Sequence, residues 1–182
     1  MARYAAGDHV AFQRLFALLA PRVRAFFFRS FSDAAVADDL MQTTFLKLHR
    51  ARESYRTELP FKPWLFTIAA GVRRDELRRR YRLPPHVGET ELEQAESVLS
   101  LDRQALSSTN DADKADAVRA QIELLPESQR VVLHLHCYEE LSFEQIANAL
   151  GTTPGAVRVR ASRAYERLRK ALAPHLSREE VA

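Results

Sequence analysis

Residues 142–167 read Ser-Phe-Glu-Gln-Ile-Ala-Asn-Ala-Leu-Gly-Thr-Thr-Pro-Gly-Ala-Val-Arg-Val-Arg-Ala-Ser-Arg-Ala-Tyr-Glu-Arg, a run that leaves little room for any fold but two helices around a tight turn. Ser142 suits an N-cap, and Gln145 three residues on completes a capping box. Phe143, Ile146, Ala147 and Leu150 recur at helical spacing and give the first helix one apolar face. Gly151 suits the left-handed residue that closes a helix. Thr153 can cap the second helix, with Pro154 at its first position, where the missing N–H is harmless. Val157, Ala161, Ala164 and Leu168 line one side of that helix, and Arg158, Arg160, Arg163, Arg167 and Arg169 project around the rest. A short helix, a glycine turn and an arginine-bearing helix are the parts of a helix-turn-helix that enters a major groove.

A charge run on a helix is commonly no more than a solvated face. Here the second helix carries only Glu166 as an acidic residue before residue 170, and the first only Glu144, which favours DNA binding. Few β-branched runs, five glycines in 182 residues and abundant Ala, Leu, Arg and Glu predict an all-helical protein. The net charge of +3 conceals an asymmetry: +8 over residues 1–83, −6 over 84–113 and +1 over 114–182. Two small helical domains, 1–83 and 114–182, joined by an acidic flexible linker at 84–113, are the expected organisation. The linker opens on Pro84-Pro85 and carries seven acidic residues. The single cysteine, Cys137, allows no internal disulfide and fits a reducing cytosol. The longest uncharged run, Pro63 to Val72, is too short to cross a bilayer, and the first residues lack a signal peptide's apolar stretch. The sequence therefore predicts a soluble, cytoplasmic protein with no membrane insertion.

In the first domain Gly7-Asp8 can cap a helix whose stripe is Phe12, Leu15, Phe16, Leu19, Val23 and Phe27, with Pro21 expected to kink or split it. A second helix starts near Ser32 or Asp33, with Val36, Ala37, Leu40, Met41 and Leu48 facing the core. Asp38, Asp39 and Gln42 lie off that stripe as a polar, acidic patch. Adjacent carboxylates on a helix point about 100° apart, so a shared metal or an acid/base pair is disfavoured. A third helix follows the non-helical stretch around Tyr55. Phe61 to Val72 is aromatic and apolar, and six arginines fill residues 73–82. Rings beside arginines can hold single-stranded nucleic acid, bases on rings and phosphates on guanidiniums. Trp64 is equally compatible with core packing, and both readings stand. In the second domain His134, His136 and Cys137 invite a zinc reading. Only two of the three can share a helical face, and no second cysteine exists, so no metal is expected. No nucleophile–base pair or phosphate-cradling glycine loop points to an enzyme, and no cofactor is called for.

Taken together, these segments resemble the extracytoplasmic-function sigma factors, the smallest initiation subunits of bacterial RNA polymerase. Asp38-Asp-Leu-Met-Gln-Thr-Thr-Phe45-Leu-Lys-Leu resembles the family's polymerase-binding helix. Phe61-Lys-Pro-Trp64-Leu-Phe-Thr-Ile-Ala with its arginine run resembles the promoter-melting helix. Leu125-Pro-Glu-Ser-Gln-Arg130, Leu141-Ser-Phe-Glu-Gln-Ile-Ala and the helix-turn-helix resemble the C-terminal domain. Residue by residue, the resemblance implies that Asp38, Asp39, Gln42 and Phe45 meet core RNA polymerase. It implies that Tyr55, Trp64, Arg73, Arg74, Arg78, Arg79 and Arg80 hold the opened single strand of the −10 element. Thr153, Gly155, Arg158, Val159, Arg160, Ser162 and Arg163 would meet the duplex −35 element. The acidic linker would thread towards the polymerase active site, and an anti-sigma protein would hold the free chain. The chain departs from the family pattern at Glu140, where a glycine is frequent, at Val159, and at Ala70-Gly71. The family's first helix also begins further upstream, which leaves open a start before Met1. The rival reading is a stand-alone helix-turn-helix regulator with an N-terminal sensing domain, which would need neither the acidic patch nor the aromatic–arginine helix.

Overall fold

A computed structural model describes residues 1–82, 84 and 114–176, and the acidic linker, from residue 85 to 113, lies outside these. The described residues form helices and turns with no strand among them. The short α1 (Ala2–Ala5) precedes three long helices, α2 (His9–Phe31), α3 (Ala34–Ala51) and α4 (Phe61–Tyr81). After the linker come α5 (Lys114–Glu123), α6 (Glu127–Leu133), α7 (Phe143–Leu150) and α8 (Pro154–Leu176). Asp8 caps α2 by accepting from the Ala11 N–H at 2.9 Å, and Asp33 caps α3 by accepting from Val36 at 3.1 Å. Pro21 does not split α2. Ala17 and Pro21 are both exposed, so the carbonyl that loses its helical partner faces water rather than the core.

The first unit packs Leu19, Val23, Phe26 and Phe27 of α2 against Ala37 and Leu48 of α3 and Leu65, Phe66 and Ala69 of α4. Phe26 meets Phe27 and Phe66 edge-on at 5.2 and 5.7 Å, the geometry aromatic quadrupoles favour. On α3 the buried stripe is rotated from the expected one. Leu40 and Met41 are half-buried, while Thr44 and Phe45 point inward.

The second unit is built on α6, whose C-terminal end widens into a π-helical turn, His134–Tyr138, closed by the Glu139 N–H on the His134 carbonyl at 3.2 Å. Glu140 then takes φ 60°, and the Leu141 N–H returns to the Leu135 carbonyl at 3.0 Å. The place where the family pattern favours glycine is thus a left-handed residue here too. The Ser142–Gln145 capping box forms in both directions, at 3.2 and 2.9 Å. Gly151 closes α7 at φ 69°, and Thr153 Oγ1 caps α8 from the Ala156 N–H at 3.2 Å.

The two units are docked rather than separate. Val131, Val132, Leu135, Ile146, Leu150 and Val157 of the second unit belong to the same continuous core as the residues of α2 and α4. Polar contacts reinforce the seam. Arg73 of α4 clasps Glu127 at the start of α6 through two nitrogens, and both side chains are buried. Arg74 donates to the Leu150 carbonyl at the end of α7 at 2.8 Å, and Arg130 reaches back to the Ser30 carbonyl at 3.3 Å. The two helical units expected from the charge asymmetry are present, but they do not stand apart. The apolar faces of α4 and α7 instead cover one another, because burying them together removes more surface from water than either unit achieves alone.

Candidate nucleic-acid and polymerase interfaces

The helix-turn-helix presents a single outward stripe. Gly155, Arg158, Val159, Ser162 and Arg163 are all exposed, and their spacing of three and four residues puts them on one face of α8. Thr153 is exposed at the start of that face. Arg158 is held by Glu144 of α7 at 2.9 Å, an exposed pair that orients the guanidinium across the turn. Val159 is 47% exposed, so an apolar contact sits between the arginines. Arg160 is a correction to the sequence expectation. It is buried on the inner face, because it falls three residues after Val157 and four before Ala164, both of which pack inward. The same arithmetic was available in the sequence.

The aromatic group predicted for single-stranded DNA assembles at the N-terminal end of α4. Tyr55 lies 5.0 Å from Trp64 and 5.7 Å from Phe61, and Phe61 lies 5.9 Å from Trp64, centroid to centroid. All three rings are half-buried. Trp64 packs against the core yet stays partly exposed, so the core-packing and surface readings left open by the sequence are both compatible with its position. The Tyr55 hydroxyl donates to the Leu59 carbonyl at 2.7 Å, which fixes the loop before α4.

The arginines divide by face. Arg73 is fully buried against Glu127, so in this conformation it bridges the two units and is not a surface cation. Arg74 is engaged with Leu150. Arg79 and Arg80 both pair with buried Glu76 at 2.8 Å, Arg80 also lies over the Phe31 ring at 4.4 Å, and Arg78 faces Asp75 at 3.8 Å. Trp64 and Arg80 are sixteen residues apart on one helix, which separates rings and terminal arginines by roughly 24 Å. A strand passing from one to the other would lie along α4.

On α3, Asp39 and Gln42 are exposed and Asp38 is paired with Arg24 of α2 at 2.6 Å. Phe45 is a second correction. It is buried, 4.7 Å from Phe16 and edge-on to Phe12 at 6.4 Å, because it lies eight residues after Ala37 and three before Leu48 on the inward stripe. Leu46, which sequence reasoning passed over, is 60% exposed and shares the outward face with Asp39 and Gln42 at seven- and four-residue spacing. An apolar residue breaking a polar face was the signal for it.

The three residues weighed for zinc diverge. His136 Nδ1–H donates to the Leu141 carbonyl at 3.0 Å, the Cys137 thiol meets the Tyr165 hydroxyl at 3.3 Å, and His134 points into the seam between the units. The bond to Cys137 and partial burial push the Tyr165 hydroxyl up to about 12. Arg29 Nη1 can only donate, so His134 accepts through Nδ1 at 3.2 Å and is neutral. Burial, then the Arg29 and Arg22 charges, hold His134 down to about 3. Arg22 pairs with buried Glu139 at 3.0 Å and donates to the Tyr138 carbonyl at 2.8 Å, and Lys62 donates to the Glu139 carbonyl at 3.3 Å.

Comparison with known proteins places this geometry in context. Residues 15–83 match the family described as Sigma-70 region 2, and residues 115–168 match Sigma-70, region 4. The chain is 36% identical to the RNA polymerase sigma factor CarQ of Myxococcus xanthus, over 94% of this chain and 95% of that protein. It is 30% identical to the ECF RNA polymerase sigma-E factor of Escherichia coli (strain K12), over 94% and 92% of the two chains. Among solved structures it is similar to the sigma factor RpoE of Bartonella quintana in complex with the anti-sigma factor NepR. That match has a TM-score of 0.65 and 25% identity, over 90% of this chain and 97% of that one. It is also similar to CnrH in complex with the cytosolic domain of CnrY, with a TM-score of 0.58 and 26% identity over 95% and 94%.

Proposed function

Because the chain belongs to the extracytoplasmic-function sigma factors, which direct RNA polymerase in transcription initiation, we propose how its residues divide that work. Gly155, Arg158, Val159, Ser162 and Arg163 read the −35 duplex from the major groove, with Thr153 holding the start of the helix. Tyr55 and Trp64 stack on bases of the opened −10 strand, and Arg78, Arg79 and Arg80 follow its phosphates along α4. Asp39, Gln42 and Leu46 form the surface that meets core polymerase, with Asp38 set by Arg24 at its edge. Likeness to RNA polymerase sigma factors supports action on polymerase in the cytoplasm as a binding subunit rather than an enzyme, and no helix among the described residues is long and apolar enough to cross a membrane. A structural relative solved with an anti-sigma factor supports an anti-sigma partner for this chain as well.

The observation that carries the reading is the single outward stripe of α8 on a helix-turn-helix that shares its chain with an aromatic and arginine-bearing α4. The test is transcription of a genomic template library by bacterial core polymerase with and without the protein. Discrete new start sites are expected. A variant carrying Asp39→Ala and Gln42→Ala should lose those starts and its co-purification with core polymerase, with helical content unchanged. No new starts, together with duplex binding by the chain alone, would instead identify a stand-alone regulator.

A further inference from the structure

Two arginines of this chain meet carboxylates in different ways. Arg73 is buried and engages Glu127 through two nitrogens and both carboxylate oxygens, which spends its fork. Arg158 gives Glu144 only Nη2, at 2.9 Å to Oε1. A pairing through one nitrogen leaves a parallel pair of N–H groups on the planar guanidinium, the arrangement that fits guanine O6 and N7. Both side chains are more than half exposed, at 57% and 59%, so the pair adds little to the stability of the fold. Glu144 itself is held in a fixed place. The Ser142–Gln145 capping box brackets it at the start of α7, and Gly151 sets the turn from α7 into α8. A carboxylate beside a surface that meets phosphates opposes binding to every sequence alike, and Glu144 touches the one stripe of α8 that faces outward.

We propose that Glu144 is a positioning residue that sets base choice in the −35 element: from α7 it holds the Arg158 guanidinium towards a guanine edge and away from the flanking phosphates. An arginine side chain is long and has many rotamers, and phosphates line both sides of the groove. Untethered, Arg158 would divide its contacts between bases and backbone, and only the base contacts carry sequence information. Tethered at one nitrogen, it is ordered before DNA arrives, and less freedom is lost on binding. The general cost of a carboxylate near DNA is thereby exchanged for discrimination at one base pair. The tether comes from the helix that precedes the recognition helix, so α7 takes part in sequence choice as well as supporting α8. The inference rests on the reading of α8 as the −35 helix.

The experiment compares wild type with Glu144→Ala, Glu144→Gln, Arg158→Ala and the double variant Glu144→Ala plus Arg158→Ala. Each full-length chain, assembled with core polymerase, is titrated against promoter duplexes taken from the start sites mapped above. In a matching set of duplexes each G·C pair of the −35 element is replaced in turn by A·T. The pair at which Arg158→Ala becomes indifferent to the replacement is the one Arg158 reads. At that pair Glu144→Ala should forfeit most of the roughly 5- to 150-fold preference that a bidentate arginine–guanine contact gives. It should also steepen the fall of log affinity with log salt by about 0.9, the mark of one added phosphate contact. Glu144→Gln loses the same charge but keeps a carbonyl acceptor for Nη2. It should bind all duplexes more tightly, as Glu144→Ala does, yet retain the preference and the wild-type salt slope. The double variant should show no further loss at that pair beyond Arg158→Ala. Identical behaviour of the Ala and Gln variants would show that Glu144 acts through charge alone, and an undiminished preference in Glu144→Ala would show that Arg158 aims itself; either result overturns the proposal. If Arg158→Ala instead weakens every duplex equally, Arg158 is a phosphate anchor, and the reading of α8 falls together with the role of Glu144.

Discussion

At the scale of single residues, Arg158 and Arg169 test what kind of surface α8 is. Arg158 sits one turn inside the Thr153 cap and points outward, in pairing distance of Glu144 at 2.9 Å. An arginine there can grip guanine O6 and N7 together, worth roughly 5- to 150-fold in discrimination. Arg169 is exposed in the second half of the helix, where an arginine would supply charge without sequence information. Arg158→Ala should abolish preference for the cognate −35 duplex over a scrambled one, and Arg169→Ala should weaken both alike and slightly. Titrations of both variants against both duplexes at one salt concentration make the comparison. Equal loss for both duplexes with Arg158→Ala would make it a phosphate anchor.

At the scale of elements, the turn before the helix-turn-helix carries a conformational cost that the caps around it offset. Glu140 is held at φ 60°, a region costing a non-glycine residue about 1–2 kcal/mol. Its contact with Lys62, 3.6 Å and largely exposed, returns little. The Ser142–Gln145 capping box anchors the next helix and contributes about 1 kcal/mol. Glu140→Gly should therefore raise stability by up to about 1 kcal/mol after the entropy of the added glycine is counted. Ser142→Ala should lower it by a similar amount. Thermal unfolding of the two variants should move the midpoint in opposite directions, and a lower midpoint for Glu140→Gly would show that the side chain anchors the turn.

At the scale of the whole molecule, the seam between the units is where acid should act. His134 lies in it, neutral, with Arg29, Arg22 and Glu139 around its ring. Its folded value of about 3 is below the unfolded value of 6.5, so the unfolded chain binds the proton more readily. The stability linked to this site is therefore full above pH 6.5 and is lost as pH falls from 6.5 towards 3. Glu139 works in the opposite direction: burial raises its carboxyl against the pull of Arg22, so its protonation favours the folded state and offsets part of the loss. Denaturant midpoints measured between pH 7 and 4 should fall for wild type and fall less for His134→Gln, which keeps an acceptor for Arg29. An identical slope in the two proteins would place the acid sensitivity elsewhere.

Helix by helix, the sequence by itself determined most of this protein. Caps, the glycine turn, helical periodicity and the outward stripe of α8 depend on residues within about two turns of one another, and short-range chemistry of that kind is legible in one dimension. The inward positions of Phe45 and Arg160 belonged to the same arithmetic and were readable from their spacing to Leu48 and Val157. What only the tertiary structure decided is which charged groups are spent between the units. Arg73 looks like its neighbours in a basic run, yet its partner Glu127 is 54 residues away and buried with it. Local patterns record which face of a helix is apolar, but not which other face covers it. That choice follows from the combined burial of α4, α6 and α7 and from the desolvation that obliges a buried arginine to find a carboxylate.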